Sequence, residues 1–448
     1  MTGSRRLFIE GASLAALGLG LARPREAAGE ETPAAPSDRV RFGVVGCNGM
    51  GWADMRSALR TKGVECAALA DVDQSVLDTR AKDALEAGGR TPRLYRDYRK
   101  LLEDRDIDAV IIGTPDHWHC LVLADALAAG KHVYVEKPLA NSIEEARAMV
   151  AAARRAGRIV QVGQWQRSAP QYAQALNLVR SGALGNIRLV KTWAYQGWMK
   201  PVPVKPDSAA PPGVDYDMWL GPAPKRPFNP NRFHFTFRWF WDYAGGLMTD
   251  WGVHEIDVAL WVMDAKAPRS VAAAGGKLAY PDDASETPDT LQAVFEYDGF
   301  NMLWEHATGI DGGNYGRTEG IAFIGNNGTL VVNRGGLELL PETTDTEDGG
   351  RRYRMEAIPS YHPPRDVEAL DLHTRNFVDA IRKNDASMLT CGIETGSLAA
   401  INAHMGNIAY KVGRKVRWDP AAGAFAGDAE ANALIAPPYH NGWRRPPA

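Results

Sequence analysis

The first part of the chain alternates short apolar runs with longer amphipathic stretches. The apolar runs show little alternation with polar residues, which is typical of parallel strands covered on both faces. They predict strands at Val40–Val45, Val64–Ala70, Ala109–Gly113, His132–Val135 and Ile159–Val162. Helices are predicted between them at Trp52–Thr61, Gln74–Ala87, Tyr98–Glu103, His119–Ala129 and Ile143–Ala156. Residues 38–162 are therefore predicted to form an α/β domain with a parallel sheet.

The pattern changes after Gln164, where apolar and polar residues begin to alternate. Such alternation predicts antiparallel strands with one exposed face, here at Ile187–Tyr195, Arg269–Leu278, Thr290–Tyr297, Phe300–Thr308, Gly320–Gly325 and Gly328–Arg334. Helices Gly245–Val262, Leu370–Lys383 and Gly392–Val412 are expected to cover the other face. Residues 163–417 are thus predicted to form an α+β domain with a large, mostly antiparallel open sheet.

Two irregular segments flank or interrupt this second domain. The Pro-rich stretch Pro201–Phe228 predicts a long loop that lines the site or an oligomer contact. The polar, Pro-rich tail of residues 418–448 predicts an extended C-terminal strap.

The N-terminus carries a targeting pattern. Arg5 and Arg6 precede the apolar stretch Ala12–Ala22, and a Pro/Ala/Glu-rich segment follows to Ser37. This order is typical of a twin-arginine (Tat) export signal and linker over residues 1–37. We therefore expect a periplasmic or secreted protein from which the signal is removed.

Composition narrows the function classes. The 448 residues carry a net charge of -3, so the chain lacks the excess of basic residues that is typical of nucleic-acid-binding proteins. No apolar stretch of the mature chain is long enough to span a bilayer. The four cysteines show no zinc-type spacing and are expected to be small buried apolar residues.

A glycine-rich turn joins the first predicted strand to the first helix. Glycines there let the backbone approach a pyrophosphate, and the free N–H groups at the helix start attract its charge. Asn48 stands where the pattern G-x-G-x-x-G has its second glycine, and Asn tolerates positive φ better than most residues. Asp71, at the end of the second strand, would bind the ribose hydroxyls and repel a 2′-phosphate, which favours NAD over NADP. The predicted contacts here are Gly46, Asn48, Gly49, Met50 and Asp71.

Further candidates follow the later strands, whose carboxyl ends meet at one edge of the sheet. The predicted cofactor contacts there are Thr114, Pro115, His117, His119, Glu136, Lys137 and Gln164. In the same motif Asp116 has an alternative, purely structural interpretation as a helix N-cap. Lys137 would lie beside a nicotinamide ring, where an ammonium can polarise a hydroxyl or ketone oxygen.

Asp250 and His254 are spaced i, i+4 in a predicted helix with apolar neighbours. On one helix face the carboxylate would orient the imidazole, and His254 would act as the general base for a substrate hydroxyl. A surface ion pair is the structural alternative. A metal site is disfavoured because no third ligand stands at a typical spacing, so no metal is expected.

Four residues of the second domain are candidates for substrate binding. Gln166 and Arg167 follow the last strand of the parallel sheet and could bind substrate hydroxyls. Trp241 and Tyr243 precede the Asp250 segment and could form an aromatic wall for a sugar ring, or belong to the core.

Together these pieces resemble the Gfo/Idh/MocA oxidoreductases, the family of glucose–fructose oxidoreductase and inositol dehydrogenase. The likeness runs from Arg39 to about Trp418 through the glycine turn, Asp71, Thr114-Pro115-x-x-x-His119, Glu136-Lys137-Pro138, Gly182-x-Leu184-Gly185 and Gly245-Gly246-x-x-x-Asp250-x-Gly252-x-His254-x-x-Asp257. The resemblance implies Lys137, Asp250 and His254 as the catalytic set. It also implies a Rossmann domain, a C-terminal open sheet used for oligomerisation, as in a dimer or tetramer, and a sugar or cyclitol substrate.

The expected function is NAD-dependent oxidation or reduction of a hydroxyl on a sugar, sugar acid or cyclitol. A periplasm offers little free NAD, so the cofactor is expected to be tightly bound. One alternative is an NAD-dependent glycosidase that oxidises, eliminates, hydrates and reduces again. Related glycosidases carry a Tyr-x-x-His segment where this chain has Asp250 to His254, which favours plain oxidoreduction. Another alternative is a non-catalytic carbohydrate-binding protein.

Overall fold

The computed structural model describes residues 38–448, so the predicted export signal lies outside the described residues. The described chain begins with a six-stranded parallel sheet of order β3-β2-β1-β4-β5-β6. Its strands are β1 Val40–Val45, β2 Val64–Ala70, β3 Arg93–Tyr95, β4 Ala109–Ile112, β5 His132–Val135 and β6 Val160–Val162. The helices between them are α1 Gly49–Ala58, α2 Gln74–Gly88, α3 Tyr98–Leu102, α4 His119–Ala128 and α5 Ile143–Ala156.

The predicted Rossmann sheet is confirmed, with one strand that the sequence pattern missed. β3 has only three residues, none of them fully buried, and lies at the sheet edge. Such a short edge strand carries no apolar run to detect. The central strands β1, β2, β4 and β5 are buried on both faces, as their sequences predicted.

The second sheet has nine strands in the order β13-β12-β11-β7-β10-β9-β8-β16-β17. Neighbouring strands run antiparallel except for the parallel pair of β7 and β10. The strands are β7 Ile187–Gln196, β8 Ser270–Gly276, β9 Thr290–Glu296, β10 Asn301–Thr308, β11 Glu319–Gly325, β12 Gly328–Asn333, β13 Gly336–Pro341, β16 Val416–Asp419 and β17 Ala424–Phe425. A separate hairpin pairs β14 Thr343–Asp345 with β15 Arg351–Tyr353.

Helices cover one face of this large sheet. The remaining helices are α6 Pro170–Arg180, α7 Tyr216–Leu220, α8 Gly246–Asp250, α9 Gly252–Met263, α10 Ala369–Lys383, α11 Ile393–Val412 and α12 Ala429–Ala433. α6, α9 and α11 supply the apolar residues that pack on the buried sheet face. β9 shows the alternation that makes this possible, because Leu291, Ala293 and Phe295 are buried while Gln292 and Val294 are exposed.

The prediction that Leu370–Lys383 covers the large sheet is wrong. This segment forms α10, which packs on the Rossmann domain instead. The Phe377 ring lies 6.1 Å from Phe42 of β1 and 5.8 Å from Tyr134 of β5. An amphipathic sequence predicts that the helix has an apolar face, but it does not predict which of the two sheets that face packs on.

The C-terminal segment joins the two sheets. Its first residues, predicted as part of the strap from Trp418, instead extend the large sheet through β16 and β17. The rest crosses back to the Rossmann domain, where the Tyr439 hydroxyl donates to Glu145 Oε1 at 2.6 Å. The Trp443 ring packs 4.9 Å from Trp118.

All four cysteines are free and buried, as predicted. Within residues 38–448, no helix combines the length and the apolar character needed to cross a bilayer.

Candidate active site

The glycine turn between β1 and α1 packs tightly against the end of β4. Gly46 has φ 78°, and a Cβ there would lie 2.6 Å from the backbone nitrogen of Thr114. A Cβ on Gly51 would lie 2.0 Å from the carbonyl oxygen of Gly46. Asn48 has φ -85°, so the tolerance for positive φ that we expected from it is not used. Gly49 takes the positive φ of 48° instead.

A cavity of about 480 Å³ opens from this turn along the carboxyl edge of the parallel sheet, within the size range of small-molecule sites. A Cβ on Gly49 would meet nothing within 4 Å, so the turn leaves open space at the start of α1. Free N–H groups at such a helix start bind phosphate. Nine of the twelve predicted cofactor residues line the cavity: Gly46, Asn48, Gly49, Met50, Asp71, Thr114, Pro115, Glu136 and Lys137. These residues fit a dinucleotide.

Asp71 holds the glycine turn as well as lining the cavity. Its carboxylate accepts hydrogen bonds from the backbone N–H groups of Cys47 at 2.8 Å and Asp73 at 3.0 Å. Burial raises the pKa of Asp71, and these two N–H donors oppose that rise. A carboxylate at this position remains able to accept ribose hydroxyls with its other lone pairs.

The other three predicted cofactor residues do not line the cavity. His117 Nε2 lies 3.0 Å from the carbonyl oxygen of Trp219, and the ring packs on Tyr243. His119 places its two ring nitrogens against the carbonyl oxygens of Pro138 and Thr114, at 2.8 Å and 2.9 Å. The His119 ring therefore links the loop that follows β4 to the loop that follows β5, and it does so from outside the cavity.

Gln164 is also buried away from the cavity. Its Nε2 donates to the carbonyl oxygen of Val253 at 3.3 Å. The side chain thus joins the end of β6 to α9, the helix that carries His254.

Lys137 binds Asp250 across the two domains. It follows β5 and precedes a cis peptide bond to Pro138. Its ammonium donates to the backbone carbonyl oxygen of Asp250 at 2.8 Å and to the carboxylate Oδ1 at 2.9 Å. Burial would raise the pKa of Asp250, but Lys137 and Arg238 outweigh it and lower that pKa to about 2. Asp250 is therefore ionised.

His254 lies within reach of the Lys137 charge. It is buried, and its Nδ1 has no hydrogen-bond partner among the described residues. Burial lowers the pKa of His254 well below its usual range, and the charges of Lys137 and Arg334 lower it further. The imidazole is neutral at pH 7 and can accept a proton.

The expected support of His254 by Asp250 is wrong. The predicted helix Gly245–Val262 is broken at Trp251 into α8 and α9. The hydrogen bonds of the Asp250 carboxylate go to Lys137 and Arg238 instead of the imidazole. The Asp250 carboxylate therefore contacts the Lys137 ammonium and not the imidazole.

Two tryptophans and an arginine surround the imidazole, and sequence reasoning missed all three. The Arg334 guanidinium lies 4.6 Å from the Trp165 ring and 4.3 Å from the Trp251 ring. The same two rings lie 5.9 Å and 6.4 Å from His254. No local signal marks Arg334, because it comes from the turn between β12 and β13.

Two further charged residues line the cavity beside Lys137. Arg238 donates from Nε to Asp250 Oδ1 at 3.2 Å. Asp116 is buried, and burial raises its pKa to about 7 despite the opposing charge of Arg238. Asp116 begins a short 3₁₀ turn and does not cap α4, whose N-cap is Trp118, so the structural interpretation of Asp116 is wrong.

The four predicted substrate-binding residues are all engaged elsewhere. Gln166 Oε1 accepts from Arg334 Nε at 3.1 Å. Trp241 donates from Nε1 to the carbonyl oxygen of Glu286 at 2.9 Å, and Tyr243 is buried in an aromatic cluster with His117 and Trp219. None of the four lines the cavity.

Arg167 forms a buried ion pair. Its Nε and Nη2 bind the two carboxylate oxygens of Asp257 at 2.7 Å and 2.9 Å, and its guanidinium lies 5.0 Å from the Trp261 ring. This bidentate pair ties the segment after β6 to α9. Within residues 38–448, no cluster of three or more His, Cys, Asp or Glu side chains is placed to hold a metal ion.

Arg167→Ala should lower the free energy of unfolding by about 3–5 kcal/mol, because it leaves the buried Asp257 carboxylate unpaired. Chemical denaturation measures this loss. Arg154→Ala is the matched control, since its pair with Glu394 is exposed and should cost less than about 1 kcal/mol. If the Arg167→Ala protein is fully stable but binds substrate poorly, the result would support the predicted role of Arg167 in substrate binding.

Lys137→Met should raise the pKa of His254 towards its ordinary value, because it removes a positive charge that disfavours the imidazolium. Titration of the imidazole signals by NMR measures the shift. Lys82→Met, at an exposed position on α2, should leave the His254 titration unchanged. An unchanged titration in Lys137→Met would show that the two groups do not interact.

Comparisons with known proteins match both domains to one family. Residues 40–164 match the model of the oxidoreductase family, NAD-binding Rossmann fold, and residues 174–302 match the C-terminal alpha/beta domain of the same family. Together the two matches cover more than half of the chain.

Curated relatives match in part. Rhizopine catabolism protein MocA of Rhizobium meliloti is 29% identical over 256 residues, which are 57% of this chain and 67% of that protein. Glycosyl hydrolase family 109 protein 1 of Shewanella sp. (strain ANA-3) is 32% identical over 152 residues, 33% of each chain. The match to that hydrolase thus spans about a third of its length.

Solved structures share the fold. Levoglucosan dehydrogenase in complex with NADH has a TM-score of 0.63 at 20% identity, over 85% of this chain and 99% of that one. The scyllo-inositol dehydrogenase of Lactobacillus casei with NAD(H) and scyllo-inositol has a TM-score of 0.60 at 22% identity, over 85% and 99%. With both domains matched by one family, the chain belongs to the Gfo/Idh/MocA oxidoreductases and carries their NAD-binding Rossmann domain.

Proposed function

We propose that this enzyme transfers hydride between NAD and a hydroxyl-bearing carbon of a sugar, sugar acid or cyclitol. The observation that carries the proposal is the contact of the cavity-lining Lys137 with Asp250, together with the neutral His254 whose pKa the same lysine lowers. Asp250 and His254 lie behind Lys137 and are not among the residues that line the cavity. NAD bound in the cavity would accept the hydride from the carbon that bears the hydroxyl.

The side chains supply the proton chemistry. His254 takes the hydroxyl proton during oxidation and returns it during reduction. The Lys137 ammonium donates a hydrogen bond to the reacting oxygen and stabilises the negative charge that develops there. Asp250 holds that ammonium through its carboxylate and its backbone carbonyl.

We further propose that NAD stays bound between turnovers. One wall of the cavity is formed by the second domain, which contributes Met218, Trp219, His234, Phe235, Phe237 and Arg238. This segment is tied to the Rossmann domain by His234 Nε2 on Asp73 Oδ2 at 3.0 Å and by the Asp215 N–H on the Val72 carbonyl at 2.9 Å.

The C-terminal strap fastens the same wall. Asn441 donates from Nδ2 to the carbonyl oxygens of Gly221 and Ala223 at 2.8 Å and 2.9 Å. Release of the dinucleotide would require these contacts to open. Retention of NAD suits export through the twin-arginine pathway, which we propose from Arg5 and Arg6. We also propose that the working enzyme is an oligomer that forms through the open sheet.

Denaturing the purified protein should release stoichiometric NAD, detected by mass spectrometry. Lys137→Ala should keep that NAD and lose at least about 10²–10³-fold in kcat on the sugar panel, because it removes the group that stabilises the developing charge. Lys82→Ala is the control on the surface. An active Lys137→Ala enzyme would refute the assignment, and protein free of nucleotide would refute retention.

The glycosidase route is the second candidate, and the match to glycosyl hydrolase family 109 proteins favours it. It uses the same cofactor and the same first oxidation step, followed by elimination of the aglycone. Asp250 and His254 stand where those enzymes carry a Tyr-x-x-His segment, so plain oxidoreduction is our main proposal. We therefore expect no release of a chromogenic aglycone from aryl glycosides; release that depends on bound NAD would favour the glycosidase instead.

A further inference from the structure

Arg238 is a cation of the cofactor cavity that contacts Asp250 and to which no ligand has been assigned. It lies in the 3₁₀ turn Thr236–Trp239 and lines the cofactor cavity together with Lys137. Its guanidinium lies 4.9 Å from the Phe235 ring and 4.7 Å from the Phe237 ring. These two ring contacts limit the orientations of the guanidinium, which reduces the entropy lost when it binds a ligand.

The hydrogen bonds of Arg238 leave part of its guanidinium free. Nε donates to Asp250 Oδ1 at 3.2 Å, and Nη1 donates to the carbonyl oxygen of Phe235 at 3.0 Å. Nη2 has no hydrogen-bond partner among the described residues, and the side chain is 23% exposed. A planar guanidinium with a free edge matches the geometry of a carboxylate.

The charges around Arg238 are not balanced. Lys137 and Arg238 bind the same oxygen atom, Oδ1 of Asp250, so one carboxylate serves two cations. Asp116 and Glu136 are the other carboxyl groups that line the cavity near these cations, and burial raises the pKa of each to about 7. Below pH 7 both are mostly protonated, and the two cations then face the single charge of Asp250. An anionic substrate would neutralise the remaining positive charge.

We propose that Arg238 binds a carboxylate on the substrate, which makes the substrate class a sugar acid, such as an aldonate or uronate, in place of a neutral sugar or cyclitol. This assignment rests on the proposed function, because it places the substrate against Lys137 and His254. The carboxylate lies on the Arg238 side of the reacting carbon, and the hydroxyl to be oxidised lies on the Lys137 side.

The test uses the holoenzyme and matched pairs of compounds that differ in one carboxylate: gluconate with glucitol, glucuronate with glucose, and galacturonate with galactose. Hydride transfer is followed by the absorbance of reduced nicotinamide. At least one acid should be oxidised with a kcat/KM at least about tenfold above that of its neutral partner, and this ratio should fall with added salt.

Arg238→Gln should reduce kcat/KM for the acid by about 10- to 100-fold, mainly through KM, because it removes one charge-assisted hydrogen bond. Activity on the neutral partner should change much less, and Arg238→Lys should restore part of the preference. Arg269→Gln, at a position 68% exposed, is the matched control.

Three results would overturn the assignment. They are equal activity of the wild type on acids and neutral partners, an equal loss on both in Arg238→Gln, and a loss of bound NAD in Arg238→Gln. The last would make Arg238 a cofactor residue.

Equilibrium dialysis of the same compounds against the holoenzyme separates the two proposals. If no compound is oxidised, the proposed function fails. Binding of an acid that disappears in Arg238→Gln would still support the carboxylate site, and absence of such binding would overturn it.

Discussion

The contact of Lys137 with Asp250 is the interaction on which the site depends. Lys137 belongs to the Rossmann domain, and Asp250 belongs to the second domain, 113 residues further along the chain. The ammonium reaches a backbone carbonyl as well as a carboxylate because α8 ends at Asp250. The break between α8 and α9 is therefore part of the site, since it exposes an acceptor that a continuous helix would use internally.

The glycine turn imposes a second constraint of a different kind. Gly46, Gly51 and Gly113 approach one another so closely that a Cβ on any of them would collide with the backbone. This packing brings the start of α1 against the end of β4. It leaves the cofactor cavity bounded by backbone on one side and by aromatic residues of the second domain on the other. The first wall comes from local sequence, whereas the second depends on how the domains pack.

That difference explains what could be predicted from the sequence. Strands β1 and β2 and helix α5 match their predicted bounds, because the strands are continuous apolar runs and the helix carries a strong local period. Nine predicted cofactor residues line one cavity, since strand ends in a parallel sheet meet at one edge. Arg167 was misassigned because its partner Asp257 is 90 residues away, and no local pattern announces such a pair. Arg238 was missed for a different reason, because it lies in a loop whose sequence has no hydrophobic period.

The contacts of Asp250 also affect how His254 would work as the proposed base. A carboxylate bonded to the imidazole would have stabilised its protonated form and raised the pKa of His254. Here the carboxylate is bound to Lys137 and Arg238. The pKa of His254 is instead lowered by burial and by the positive charges of Lys137 and Arg334. Lys137 thus lowers the pKa of both groups, although burial makes the larger contribution to the lowered pKa of His254. In the reaction proposed above, an imidazolium in this setting would be a strong acid, so proton transfer from the hydroxyl would be coupled to loss of hydride. Lys137, which would stabilise the oxygen, would then influence both steps.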